Sequence, residues 1–140
     1  MPRPTFYNSA MREVTVGWAG ATFAQDIEVA GHHLRADEEI EKGGDNTGAA
    51  PHELLLAALG SCTAMTLKAY AARKGWPLQN IRVRLNGATG EGGLDITRDV
   101  VIEGTLTAEQ RQRLLEIADR CPVHRSLVGE ITISTTAVEP

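Results

Sequence analysis

The residues of this chain best suited to covalent chemistry are its two cysteines. Cys62 closes the apolar run Pro51-His52-Glu53-Leu54-Leu55-Leu56-Ala57-Ala58-Leu59-Gly60-Ser61-Cys62, and Cys121 opens Cys121-Pro122-Val123-His124. A single cysteine on an apolar helix is by default packing, because a free thiol behaves as a small hydrophobe. A pair points to thiol chemistry that uses two sulfurs brought together by the fold. Two cysteines are too few for a secreted disulfide scaffold, and Met1-Pro2-Arg3-Pro4 leads into no apolar signal segment. The expected setting is the reducing cytoplasm, where a disulfide is transient and serves catalysis or sensing.

The two sulfurs have unequal surroundings. If Pro122 is the first residue of a short helix, Cys121 lies beside free backbone N–H groups, a position that favours a thiolate. Cys62 lies mid-helix, so by this reading its thiolate needs a cation from elsewhere in the fold. The histidines could be combined on paper with the thiols into a metal site, from Cys121, His124, Cys62, His52 and the His32-His33 pair. No two-ligand motif pairs with another at a structural spacing, so neither metal nor cofactor is expected. His124 is expected to orient the Cys121 turn, and His52 to be a partly exposed first-turn residue.

Other function classes are disfavoured by composition and spacing. Net charge is -4 in 140 residues, and Lys and Arg form no block, so no nucleic-acid partner is expected. The segment Lys42-Gly43-Gly44-Asp45-Asn46-Thr47-Gly48 is turn chemistry; without a following Gly-Lys-Ser/Thr it is no phosphate loop. The longest uncharged stretch, residues 54–67, is 14 residues, short for a membrane span and typical of a buried core helix. The run Asp37-Glu38-Glu39-Ile40-Glu41 reads as a solvated face.

The elements that must position the thiols follow from periodicity. Residues 13–18 and 23–29 alternate, with Val14, Val16 and Trp18, then Phe23, Ile27 and Val29, on one face each, as in an antiparallel meander. Residues 51–74 read as one helix of about 36 Å, opened by Pro51 and closed by Gly75 with Trp76-Pro77 beyond. Its apolar residues wrap most of the way round in the first half, the pattern of a central helix. A strand with Ile81, Val83 and Leu85 inward, a glycine-rich turn and a strand over residues 96–106 come next. Thr107 with Gln110 forms a capping box, and Leu114, Ile117, Ala118 and Cys121 share a face of the helix that follows. A short helix from Pro122 to about Val128 and a final strand holding Ile131 and Ile133 complete an α+β chain, residues 1–140, that fits a single domain.

The helix run through Thr63-Ala64-Met65-Thr66, together with Cys121-Pro122-Val123-His124-Arg125, resembles the OsmC/Ohr family of thiol-dependent peroxidases. The resemblance implies an OsmC-like fold, antiparallel sheets packed around a long central helix, in an intertwined homodimer with active sites at the subunit interface. It implies a peroxidatic Cys62 and a resolving Cys121 that reduce organic hydroperoxides, regenerated by a dithiol, lipoyl-linked or general. The chemistry suits the residues: a thiolate attacks the O–O bond, becomes a sulfenic acid, and is rescued by a second thiol. An apolar wall of Leu55, Leu56, Leu59 and Met65 would favour the alkyl part of such a substrate.

Well-known peroxidases of the family activate the thiolate with an arginine held by a glutamate, which directly follows the helix-opening proline. Here His52 stands at that place and Glu53 one position on, about 100° further round the helix. Arg35, in the extended segment before the helix, is the candidate cation, with Arg12 and Lys42 behind it and Glu53 or His52 as its orienting group. His52 and Glu53 lie roughly 14 to 15 Å along the axis from Cys62, so contact would have to come from a second subunit. Two alternatives stay open: a low-turnover redox sensor or hydrophobic-ligand-binding dimer of the same fold, and a purely structural dimer.

Overall fold

The computed structural model describes residues 10–140, so the Met1-Pro2-Arg3-Pro4 segment read above lies outside the described residues. The chain gathers into two compact units, Met1–Ala57 and Ala58–Pro140.

In the first unit, β1 (Thr15–Trp18), β2 (Gln25–Val29) and β3 (His32–Ala36) form an antiparallel sheet in the order β1-β2-β3. Ala30 and Gly31 both take positive φ, 48° and 82°, the geometry of the tight two-residue hairpin that matches strand twist. The register aligns Val16, Ile27 and Leu34 across the three strands. The acidic run after β3 corrects an expectation: Asp37 is 2 % exposed rather than solvated. Its carboxylate accepts hydrogen bonds from the Glu38 N–H at 2.7 Å, the Thr47 N–H at 3.0 Å and the Thr47 hydroxyl at 2.6 Å, which holds its pKa down to about 2. Asp37 thereby ties down the loop that the glycines made legible only as a turn. Gly48 is needed there for space, since a Cβ would stand 2.3 Å from the Arg35 carbonyl oxygen.

Helix α1 (Pro51–Lys74) begins in the first unit and runs through the second. It ends as expected at Gly75, φ 70°, with the Gly75 N–H bonded to the Ala72 carbonyl and the Trp76 N–H to the Ala71 carbonyl, the paired bonds of a Schellman motif. The second unit continues with β4 (Leu78–Gly90), β5 (Gly93–Gly104), α2 (Ala108–Ala118) and α3 (Pro122–Val128). β4 and β5 pair antiparallel from Leu78 opposite Gly104 to Gly90 opposite Gly93, so the ladder reaches the hairpin tip and β5 begins at Gly93, earlier than the expected residue 96. Leu67, Tyr70 and Ala71 of α1 pack with Leu114, Ile117 and Ala118 of α2, and Ile81, Val100 and Ile102 of the hairpin lie against them. The Thr107–Gln110 capping box is present in both directions.

Two expectations are corrected. Ile131 and Ile133 form no strand, and both are exposed. Their alternation marks a face that wants burial, but a strand also needs a neighbouring edge to take its backbone hydrogen bonds, and among the described residues none does. Nor is α1 enclosed by its own chain: it is long and apolar enough to cross a membrane by length and composition, yet only 28 % of its most apolar window is buried.

Candidate active site

Both thiols lie in the second unit and meet at the start of α3. Pro122 occupies the first helical position, where its missing N–H costs nothing, and Cys121 is the N-cap, its Sγ accepting from the His124 N–H at 3.3 Å. The expectation that Cys62 receives no help from this turn is corrected, because the Val123 N–H donates to the Cys62 sulfur. Mid-helix placement on α1 does not isolate a side chain from a turn packed against it. Successive backbone donors of one turn thus serve the two sulfurs.

Cys62 and Cys121 are both free thiols, the first part-buried and the second 0 % exposed. Burial pushes the Cys62 thiol above its ordinary pKa, and the adjacent Cys121 thiol adds to the rise. The Val123 N–H and the Thr66 hydroxyl pull the other way without reversing it. Within one chain, Cys62 is therefore held toward its neutral form.

Behind Cys121 lies a polar group that sequence reading missed. Arg98 of β5 donates to Thr63 Oγ1 at 3.0 Å, to Asp119 Oδ1 at 2.9 Å and to His124 Nδ1 at 3.1 Å, with its side chain 13 % exposed. Thr63 is fully buried, donates its hydroxyl to the Leu59 carbonyl at 2.7 Å, and lies 3.8 Å from the Cys121 sulfur. The signal was available: Leu94, Ile96, Val100 and Ile102 form the inward stripe of β5, and Arg98 falls on the same alternation. A charge on an apolar stripe has to be compensated inside the fold. His124 does orient the Cys121 turn, by its backbone N–H to the sulfur and its ring to Arg98.

The remaining sequence candidates are placed as follows. Leu59 is buried and lines a cavity of about 400 Å³ with Leu94, Ile96, Leu127 and Val128, where Arg98 and His124 are the polar groups beside Asp95. Leu55 and Leu56 are half-buried in the stretch of α1 that belongs to the first unit, and Met65 is 70 % exposed. Arg35 pairs with Asp26 at 3.2 Å across the β2–β3 ladder. The Glu53 carboxylate accepts from the Ala50 N–H at 2.8 Å and so caps the start of α1, while His52 is exposed in the same turn.

A family model described as OsmC-like protein matches residues 43–136. Among solved structures, the chain is similar to an OsmC-like protein from Mycoplasma pneumoniae, with TM-score 0.76 and 17 % identity over 86 % of this chain and 89 % of that one. An organic hydroperoxide resistance protein OsmC from Legionella pneumophila gives TM-score 0.67 and 18 % identity over 86 % and 90 %. The organic hydroperoxide resistance protein OhrB of Bacillus subtilis gives 0.60 and 22 % over 86 % and 92 %. At these identities the likeness is one of fold. No curated protein matches the chain significantly.

Proposed function

Since this chain belongs to the OsmC-like family, we propose that it is a thiol-dependent peroxidase that reduces organic hydroperoxides, as the names of two structural relatives indicate for those proteins. The observation that carries the proposal is the meeting of the part-exposed Cys62 and the buried Cys121 at one turn. Their unequal exposure supports Cys62 as the attacking thiol and Cys121 as the resolving one. The Cys62 thiolate attacks the outer peroxide oxygen; the S–O bond forms, the O–O bond breaks, and the leaving alkoxide takes a proton to become an alcohol. Cys121 then attacks the Cys62 sulfur; the S–S bond forms, the S–O bond breaks, and hydroxide leaves as water. The two thiols are oxidised by two electrons in all, and a dithiol such as a lipoyl group, or a general thiol, returns them.

The proposal includes a homodimer acting in the cytoplasm. The raised Cys62 pKa supports it, because a thiol held neutral by its own chain needs a positive partner. Arg35 is the proposed source, on the second subunit, with Glu53 or His52 orienting it. Its present pairing with Asp26 is exposed on both sides and is worth about 1 kcal/mol or less, so it can be given up cheaply. The same neutral thiol favours a second reading, a slow redox sensor that turns over little.

Mapping disulfides by mass spectrometry after one equivalent of an organic hydroperoxide tests the proposal. Rapid formation of a Cys62–Cys121 bond, abolished in Cys62→Ser, is the expected result. Two unmodified thiols under conditions that oxidise free glutathione would overturn it, and a bond that forms only slowly favours the sensor.

A further inference from the structure

We propose that Arg98 is a positioning residue for the second half of the thiol cycle: it sets how fast Cys121 closes on an oxidised Cys62. The inference rests on the two-thiol reading but not on the oxidant being a peroxide.

The argument begins with what Arg98 can and cannot do. A guanidinium only donates hydrogen bonds. Its contact with His124 Nδ1 at 3.1 Å therefore requires a lone pair on that nitrogen, which fixes the ring tautomer with its hydrogen on Nε2. Its contact with Thr63 works the same way. The Thr63 hydrogen is committed to the Leu59 carbonyl, so Thr63 Oγ1 is left as an acceptor facing both Arg98 and the Cys121 sulfur. Arg98 thus holds two of the residues that touch the Cys121 sulfur, Thr63 by its side chain and His124 by its backbone N–H. It touches neither sulfur itself in any of its hydrogen bonds.

The placement has a direction. Asp119, exposed at its own end, clamps the guanidinium from outside, while the inner end brings positive charge to Thr63, 3.8 Å from Cys121. Holding Thr63 and His124 in place fixes the groups that lie against the Cys121 sulfur, and so the position from which it attacks. The step balances as a thiol–disulfide exchange: the Cys121 thiolate attacks the Cys62 sulfur, the S–S bond forms, and the group on Cys62 leaves with the electron pair of its broken bond. For a sulfenic acid that group is hydroxide. A slow step would leave the sulfenic acid exposed to a second oxidation, to sulfinic acid. Arg98 would then decide between recycling and loss of the enzyme.

A chromogenic aryl disulfide separates this step from peroxide chemistry. Reduced Cys62 takes one aryl thiol as a mixed disulfide and releases the other; attack by Cys121 releases the second. In Arg98→Met the second release should slow about tenfold relative to the first, as expected for loss of a charge-assisted hydrogen bond, and Arg98→Lys should recover most of it. Asp119→Asn, a change at an exposed site that loosens the clamp without emptying the core, should slow it in the same sense by a smaller factor and serves if Arg98→Met does not fold. A second release at the parent rate in folded Arg98→Met, or in Asp119→Asn where Arg98→Met fails to fold, would overturn the proposal, as would a slowing confined to the first release. If the predicted slowing is seen while the parent protein ignores organic hydroperoxides, the role of Arg98 stands and the peroxidase reading falls.

Discussion

Water reaches the two sulfurs unequally, and that difference organises the chemistry at the residue scale. Cys121 is sealed against Thr63 and the α3 turn while Cys62 is part-exposed, which suits the proposed order in which Cys62 reacts first. Charged groups away from the thiols follow the same accounting of partners. Hydrogen bonds from the Thr47 hydroxyl and from the backbone of Thr47, Glu38 and Asp45 lower the Asp37 pKa from 3.8 to about 2. The unfolded chain binds its proton at higher pH than the folded chain does, so the stabilisation is complete above 3.8 and is lost as pH falls through about 2. Asp37→Asn should therefore melt at lower temperature than the parent at neutral pH, with the gap closing over that acid window. Melting curves that stay parallel down to the acid end would show that the carboxylate charge does not hold the loop. None of this was legible in the sequence, where Asp37 heads a run of acids. The run sets composition, but burial is decided by the position of Thr47, ten residues away.

At the scale of elements, the legible parts were those governed by local rules. Pro51 and Pro122 specify a helix start because the first turn needs no N–H from them, Thr107 with Gln110 by a capping box, and Gly75 a helix end by two backbone hydrogen bonds, and each boundary stands where those residues put it. The final strand failed because pairing is not local, and the Val123 N–H at Cys62 was missed because it joins two helices. Glycines divide along the same line. Gly48 and Gly92 look alike in the sequence, both in glycine-rich turns, but a Cβ at Gly48 would strike the Arg35 backbone, whereas one at Gly92 meets nothing within 4 Å. Backbone cannot swing aside as a side-chain tip can. Gly48→Ala should cost about 1–3 kcal/mol by chemical denaturation, and Gly92→Ala should lie within about 0.5 kcal/mol of the parent. Equal losses at the two sites would contradict this account of the loop.

For the whole molecule, the question is what covers the apolar surface that one chain leaves open. Val14 just before β1 and Val16 and Trp18 on it are exposed, Trp18 by 67 %, and the aligned Val16, Ile27 and Leu34 continue the apolar row across the sheet. Met65 on α1 and Ile131 and Ile133 in the tail are open as well. An apolar row of this kind on a sheet marks an interaction site, and the proposed homodimer would cover it. The same dimer would answer the electrostatic need of Cys62, whose own chain pushes its pKa up. The two requirements can be tested together. Val16→Glu puts a charge where the side chain is already 56 % exposed, so the single chain should still fold, but burying that charge in an interface is costly. Sedimentation should then report a lighter species. In that species burial favours the neutral thiol, so alkylation of Cys62 should climb by about tenfold per pH unit into the alkaline range. In the dimer a partner's cation would lower the pKa, and the rate should level off at lower pH. A lighter Val16→Glu species that keeps both the parent's pH profile and its hydroperoxide rate would show that one chain is a sufficient catalyst, and the need for a second subunit would be gone.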